Sequence, residues 1–284
     1  MRILISGLHG FTGHYVKSAL EKVGHDVVGL SSNITDYNAL SSEVAQVKPE
    51  AVIHLAAVAF VGHGTANAFY EVNLIGTRNL LEALAINAPN VQSVLLASSA
   101  NVYGNRSEGA LSECATPYPA NDYAVSKLAM ENMAQLWMEK LPVFIVRPFN
   151  YTGIGQDIEF LIPKIVSHFL EKKPLIELGN LDVWREFNDV RFVAESYQQL
   201  LELNPRREII NICTGKTHSL REVIGLCQDI TGHNIEISVN PDFVRANEVR
   251  VLKGDNTKLK SLVGDIPTFS LEKTLRWMLE CESA

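Results

Sequence analysis

The sequence predicts an α/β fold in which a mostly parallel sheet carries helices on both faces and a smaller α/β unit follows toward the C-terminus. Short apolar runs at 3–6, 27–30, 52–55, 94–97 and 143–146 alternate with segments of helical spacing. Such alternation closes into right-handed βαβ crossovers around a covered sheet. Glycines stand at three-residue intervals where the first run passes into the first helical segment. The chain has 284 residues, 46% hydrophobic and 20% charged, enough for one large core and a second, smaller one.

The first strand runs into a turn made for an anion. Gly7 can take the positive φ of a tight turn, Gly10 admits a close backbone approach, and Gly13 lets the new helix pack against the strand. Phe11 and Thr12 lie in the same turn, and Val16, Ala19, Leu20 and Val23 give the helix its apolar face. Amides at the helix start then face a phosphate, so a dinucleotide is the expected ligand. After the second strand come Ser31, Ser32 and Asn33, where an NAD enzyme usually carries an acid for the ribose hydroxyls. Hydroxyls without a carboxylate tolerate a ribose phosphate, so NADP(H) is expected over NAD(H).

The third strand ends in Leu55, Ala56 and Ala57, small enough to let a cofactor lie against the strand end. His54 and His63 have no partner at metal-binding spacing and read as structural or loop histidines. Asn73 is expected to open an amphipathic helix, where it can serve as a cap. The strand at 94–97 leads to Ser99, and about two dozen residues later Tyr123 and Lys127 stand four apart in a helical pattern. A free tyrosine titrates near 10. A neighbouring ammonium is expected to lower that value toward the working range, with Ser99 bonding the same substrate oxygen. Pro148 marks the end of the next strand, ahead of Phe149 and Asn150.

Taken singly these features are common; their order along one chain is not. The glycine pattern G-x-x-G-x-x-G, L-A-A at 55–57, V-N-x-x-G-T at 72–77, S-S-A-x-V-Y-G at 98–104 and Y-x-x-x-K at 123–127 together resemble the extended short-chain dehydrogenase/reductases. That branch holds nucleotide-sugar epimerases, dehydratases and reductases. Stretches at 160–165, 178–182, 185–190 and 245–260 are similar to its GDP-mannose group. The resemblance implies a Rossmann-type fold and places Asn33 and Ile34 at the adenine, with Asn33 replacing the usual aspartate. It also implies that Asn73 supports the active site, that Pro148 and Phe149 border the nicotinamide, and that Asn150 and Asn180 lie on the sugar-nucleotide side. Lys164 would then lie near the nucleotide, Arg185 and Arg245 on the diphosphate, and Glu248 on its ribose. Guanidinium forks suit phosphates. Trp184 departs from the small or basic residue expected before Arg185.

A dehydratase needs an added acid–base pair, which the family carries directly after the catalytic hydroxyl. Here those positions are Ala100 and Asn101, neither of which ionises. The expected function is a 4-keto-reductase of a GDP-6-deoxy-hexose, with Ser99, Tyr123 and Lys127 catalytic. An epimerase or dehydratase of the same superfamily, and a catalytically idle NADP-binding sensor or scaffold, are the alternatives. The dinucleotide-binding unit is expected over 1–158 and 186–213, and the sugar-nucleotide unit over 159–185 and 214–284. Ser219 and Glu222 have the form of a capping box opening a helix at 220–230. The second unit is read as a lid over the sugar nucleotide, and Trp277 in its final helix as a core residue.

A net charge of −7 argues against a nucleic-acid partner. No stretch reaches the length of a membrane span, and the first strand starts too early to leave room for a signal peptide, so a cytoplasmic location is expected. Cys114, Cys213, Cys227 and Cys281 lack metal-site or disulfide spacing. By resemblance the chain is expected to form a homodimer through helices near 74–86 and 128–136.

Overall fold

The computed structural model describes residues 1–59, 65–105, 109–243 and 249–281. Its centre is a six-stranded parallel sheet in the order β11-β6-β4-β3-β1-β2. The strands are β1 (Arg2–Ser6), β2 (Asp26–Gly29), β3 (Ala51–His54), β4 (Ser93–Ala97), β6 (Val143–Pro148) and β11 (Ile209–Ile212). The inner strands β1, β3, β4 and β6 are apolar runs with nearly every side chain buried, as a sheet covered on both faces requires, while β2 at the edge is only partly covered.

One face is covered by α1 (Phe11–Lys22), α7 (Val190–Leu203) and α9 (Thr257–Val263), with Val16, Leu20 and Leu200 fully buried against Ile3 and Ile5. Each such side chain contributes about 1.5–3 kcal/mol. The other face is covered by α2 (Tyr37–Val47), α4 (Thr77–Asn87) and α5 (Asp122–Gln135) around Leu40, Leu80 and Met130. A helical turn, α3 (Asn67–Tyr70), and a π-helical stretch, Glu71–Gly76, run without a break into α4. Asn73 therefore lies inside a longer helical rod and does not open it, which corrects the expected cap.

The smaller unit packs α6 (Leu161–Leu170), α8 (Leu220–Thr231) and α10 (Leu271–Cys281) around the parallel pair β8 (Leu175–Leu178) and β13 (Glu236–Val239). The capping box of α8 forms, with Ser219 Oγ accepting from the Glu222 amide and Glu222 accepting from that of Ser219. A second sheet, β12-β9-β14-β5, joins Thr217–Ser219, Trp184–Glu186, Val251–Gly254 and Gly109–Leu111. Short strands β7 (Tyr151–Thr152) and β10 (Asn188–Asp189) pair between the two units. The division along the chain is thus finer than the sequence suggests. Leu259 and Ile266, from the expected C-terminal unit, belong to the large core, while 109–111 contributes an edge to the small sheet.

Candidate active site

The strand order reverses between β1 and its neighbours β2 and β3, and in an open parallel sheet the crevice at such a point receives a ligand. There Gly7 adopts φ +77°, and a Cβ on it would sit 2.9 Å from the Ala56 nitrogen. A Cβ on Gly13 would strike the carbonyl oxygens of Leu8 and Gly7. Gly10 caps α1 without a side-chain bond, leaving the first-turn amides to a ligand. This cradle fits a pyrophosphate, and at Gly7 it lies against the backbone of Leu55 and Ala56. Phe11 and Thr12 turn toward Tyr151, Phe11 by ring stacking at 6.0 Å and Thr12 by a 2.8 Å hydroxyl contact.

At the end of β2 the structure supplies a group that sequence reading missed. Glu43, on α2, accepts from the Ser31 amide at 2.8 Å and the Ser32 amide at 2.7 Å. The premise that no carboxylate stands beside these serines is therefore corrected. Partial burial works to raise the Glu43 pKa, but the hydrogen bonds from Ser31 and Ser32 outweigh it and hold the carboxyl below its ordinary range. Asn33 uses its side-chain oxygen on the Thr35 amide and hydroxyl, and Ile34 is buried against Gly76.

Ser99 follows β4; its Oγ accepts from the Asn101 amide and stands close enough to the Tyr123 hydroxyl to favour its ionised form. Tyr123 lies in the first turn of α5, whose N-cap Asn121 accepts from the Ala124 amide. Lys127, one turn on, is buried and donates from Nζ to the Ala97 carbonyl at 2.8 Å. Desolvation pushes the Tyr123 hydroxyl up to about 12 despite the nearby Ser99 hydroxyl, with Tyr151 adding to the rise. Burial pushes Lys127 down to about 8, opposed by the Glu131 carboxylate. The expected acidified phenol is thus not seen, because desolvation outweighs the lowering effect of Ser99. Tyr123 carries its proton at neutral pH.

Behind these groups lie two buried networks. In the first, Thr77 Oγ1 donates to the Asn73 carbonyl, so its oxygen accepts from His54 Nε2–H at 2.8 Å. His54 Nδ1 then accepts from Ser6 Oγ at 2.6 Å, and Ser6 Oγ accepts from the Ala56 amide. One imidazole tautomer satisfies the whole chain. The Asn73 side chain accepts from the Val58 amide and donates to the Val58 carbonyl and to Ser126 Oγ, next to Lys127. The glycine turn and the Tyr123 helix are therefore tied through His54 and Asn73. In the second network Arg147 forms a fork on Glu131 at 2.9 and 2.6 Å, and Ser98 Oγ donates to the same carboxylate. Arg147 also stacks on the Tyr103 ring.

The residues that the resemblance assigns to the substrate are distributed around the second unit. Asn150 accepts through its carbonyl from Asn188, just past Pro148 at the end of β6. Phe149 is buried among Tyr103, Val102 and Cys213, so it packs the floor of this region and does not border open space. Lys164 Nζ donates to the Glu177 carbonyl beside the Phe243 ring, and Asn180 accepts from the Asp182 amide. Arg185, on β9, donates to the Trp184 carbonyl. Its neighbour Glu186 is buried and gathers the amides of Gly254, Thr214 and Gly215, binding the small sheet to the loop after β11. Trp277 lies under the Arg191 guanidinium at 3.9 Å, part of the join between the units. Arg245, Glu248 and His63 lie outside the described residues.

Residues 3–213 match the family described as NAD dependent epimerase/dehydratase. The GDP-6-deoxy-D-talose 4-dehydrogenase of Aggregatibacter actinomycetemcomitans is 37% identical, covering 93% of this chain and 92% of its own. The GDP-6-deoxy-D-mannose reductase of Pseudomonas aeruginosa (strain PAO1) is 33% identical over 98% and 96%. The solved structure of RMD from Pseudomonas aeruginosa complexed with NADPH superposes with a TM-score of 0.90 at 31% identity, covering 98% of this chain and 97% of that one. With the glycine cradle, the Ser99, Tyr123 and Lys127 geometry and these likenesses together, the chain belongs to the NAD dependent epimerase/dehydratase family, among the extended short-chain dehydrogenase/reductases.

Proposed function

We propose that this chain is a 4-keto-reductase of a GDP-linked 6-deoxy-hexose. The observation that carries the reading is a half-buried Tyr123 beside Ser99 at the carboxyl edge of the sheet, with Lys127 one helical turn on and held by the Ala97 carbonyl. A bound reduced nicotinamide would supply the hydride for the C4 carbonyl carbon. Tyr123 gives its proton to the carbonyl oxygen, a role that needs a phenol still protonated at working pH. Ser99 polarises the same oxygen, and Lys127, held by the Ala97 carbonyl, fixes positive charge beside it. Gly7, Gly10 and Gly13 cradle the pyrophosphate, with Leu55, Ala56, Ala57 and Pro148 along the cofactor's path. Lys164, Arg185 and Arg245 are assigned to the nucleotide end of the substrate, with Asn150, Asn180 and Glu248 beside them. The likeness to two GDP-6-deoxy-sugar oxidoreductases supports the GDP assignment.

Ala100 is buried and Asn101 cannot ionise, which weighs against loss of water from the sugar. The chain is placed in the cytoplasm, where reduced nicotinamides are maintained; no helix among the described residues is long and apolar enough to cross a membrane. Exposed Ile75, Ile86, Val125 and Leu136 on neighbouring helices support a homodimer through that face.

The test is to incubate the purified protein with enzymatically prepared GDP-4-keto-6-deoxymannose and NADPH or NADH while following loss of nicotinamide absorbance. Consumption is expected, together with a reduced sugar nucleotide by mass spectrometry. Tyr123→Phe should lower kcat by about 10²–10⁴-fold with cofactor affinity unchanged. Undiminished turnover in that variant would falsify the assignment of the proton donor.

A further inference from the structure

We propose that Glu43 is the residue by which this chain discriminates against the 2′-phosphate of NADPH. The inference rests on reading the β1 turn as the dinucleotide site. In the parallel register Ile5 lies opposite Gly29, so two residues further along Ser31 comes level with Gly7. Gly29 itself is pressed against Leu8 of the glycine turn, where an added Cβ would come within 2.6 Å of Leu8 Cδ2. The Ser31–Ser32 segment is therefore held beside the pyrophosphate cradle, at the distance along the chain where an adenosine ribose is read.

Two successive backbone amides pointing one way make a seat for an anion. Glu43 already fills it, with one carboxylate oxygen on each amide. These bonds keep the carboxyl ionised through the neutral range. Among the described residues no lysine or arginine pairs with Glu43, so its charge is not cancelled. Ser32 Oγ is buried nearby without a hydrogen-bond partner among the described residues.

A 2′-phosphate entering this corner meets a like charge and finds its two best donors occupied. A ribose hydroxyl meets a fixed acceptor with free lone pairs. The carboxylate thus supplies from α2 what the end of β2 lacks in sequence. It acts on the choice between the two nucleotides, leaving their shared pyrophosphate untouched.

The experiment titrates the full chain with NADH and NADPH, following nicotinamide fluorescence at one ionic strength, for the wild type, Glu43→Gln and Glu43→Ala. Adenosine 2′,5′-bisphosphate against AMP, by competition, isolates the phosphate itself. Wild type is expected to bind NADH at least as tightly as NADPH. Glu43→Gln removes the charge with little change of volume and should shift the NADPH-to-NADH affinity ratio at least tenfold toward NADPH; Glu43→Ala, which empties the seat, should shift it in the same direction. A ratio within twofold of wild type in both variants overturns the assignment of Glu43 while leaving the cofactor site standing. Failure of wild type to bind either nucleotide overturns both this assignment and the reading of the site on which it rests.

Discussion

His54 shows how one side chain can serve the site without touching a ligand. Burial, with the Lys127 charge adding to it, lowers its pKa from 6.5 to about 3. The neutral ring bridges Ser6 and Thr77 in a single tautomer, and a second proton on Nδ1 would face the Ser6 oxygen with a hydrogen already between them. The unfolded chain takes up a proton between pH 6.5 and 3 that the folded chain refuses, so stability falls as acid is added across that window. The slope for a full proton is about 1.4 kcal/mol per pH unit. His54→Gln keeps a donor and an acceptor but cannot titrate. Urea denaturation at several pH values below 6.5 should give it a shallower acid dependence than wild type. Equal slopes would assign the acid sensitivity elsewhere.

At the scale of the element, the β1–α1 junction is where backbone shape and ligand binding are the same problem. Gly13→Ala places a methyl group against two main-chain carbonyl oxygens that cannot rotate away. Displacing α1 should cost about 1–3 kcal/mol and weaken binding of either nicotinamide dinucleotide. Thermal unfolding and fluorescence titration measure the two effects, and unchanged values in both would mean that the turn relaxes freely. This junction was legible in the sequence because its requirements are local: a positive φ at Gly7 and a tight contact at Gly13 leave glycine as the residue that fits. Tyr123 and Lys127 were legible for a similar reason, since four-residue spacing on a helix sets their common side. The acidity of Tyr123 was not, because desolvation depends on what the rest of the chain lays over it. Glu43 escaped notice because its partners sit eleven and twelve residues away across a helix start. The resemblance puts Phe149 at the border of the nicotinamide, and its enclosure by β14 and the Cys213 side chain was not legible because those neighbours lie far along the chain.

For the whole molecule, the large sheet buries its helices on both faces, yet Ile86 and Leu136 remain 63% and 77% exposed on adjoining helices. Such residues gain about 1.5–3 kcal/mol each if a second copy covers them fully. Light scattering should report twice the 31.4 kDa chain mass, and the double variant Ile86→Asp, Leu136→Asp should report the single mass with its folded signal intact. A wild-type mass of one chain would remove the dimer. The location of each reactive group at the carboxyl edge of this sheet follows from topology. The assignment of surfaces to partners depends on side-chain exposure, and sequence pattern alone leaves that open.

The widened coil at Glu71–Gly76 has a consequence for how this lineage can vary. It holds Asn73, fully enclosed, toward Val58 and Ser126 at once. Excising one residue there would let the rod regain ordinary pitch, and the chain would gain regularity. The same deletion would swing the amide away from the loop and the helix that it joins. Regular pitch and the three hydrogen bonds of Asn73 to Val58 and Ser126 therefore exclude one another at this spot, and the straighter rod would leave buried polar groups unpaired.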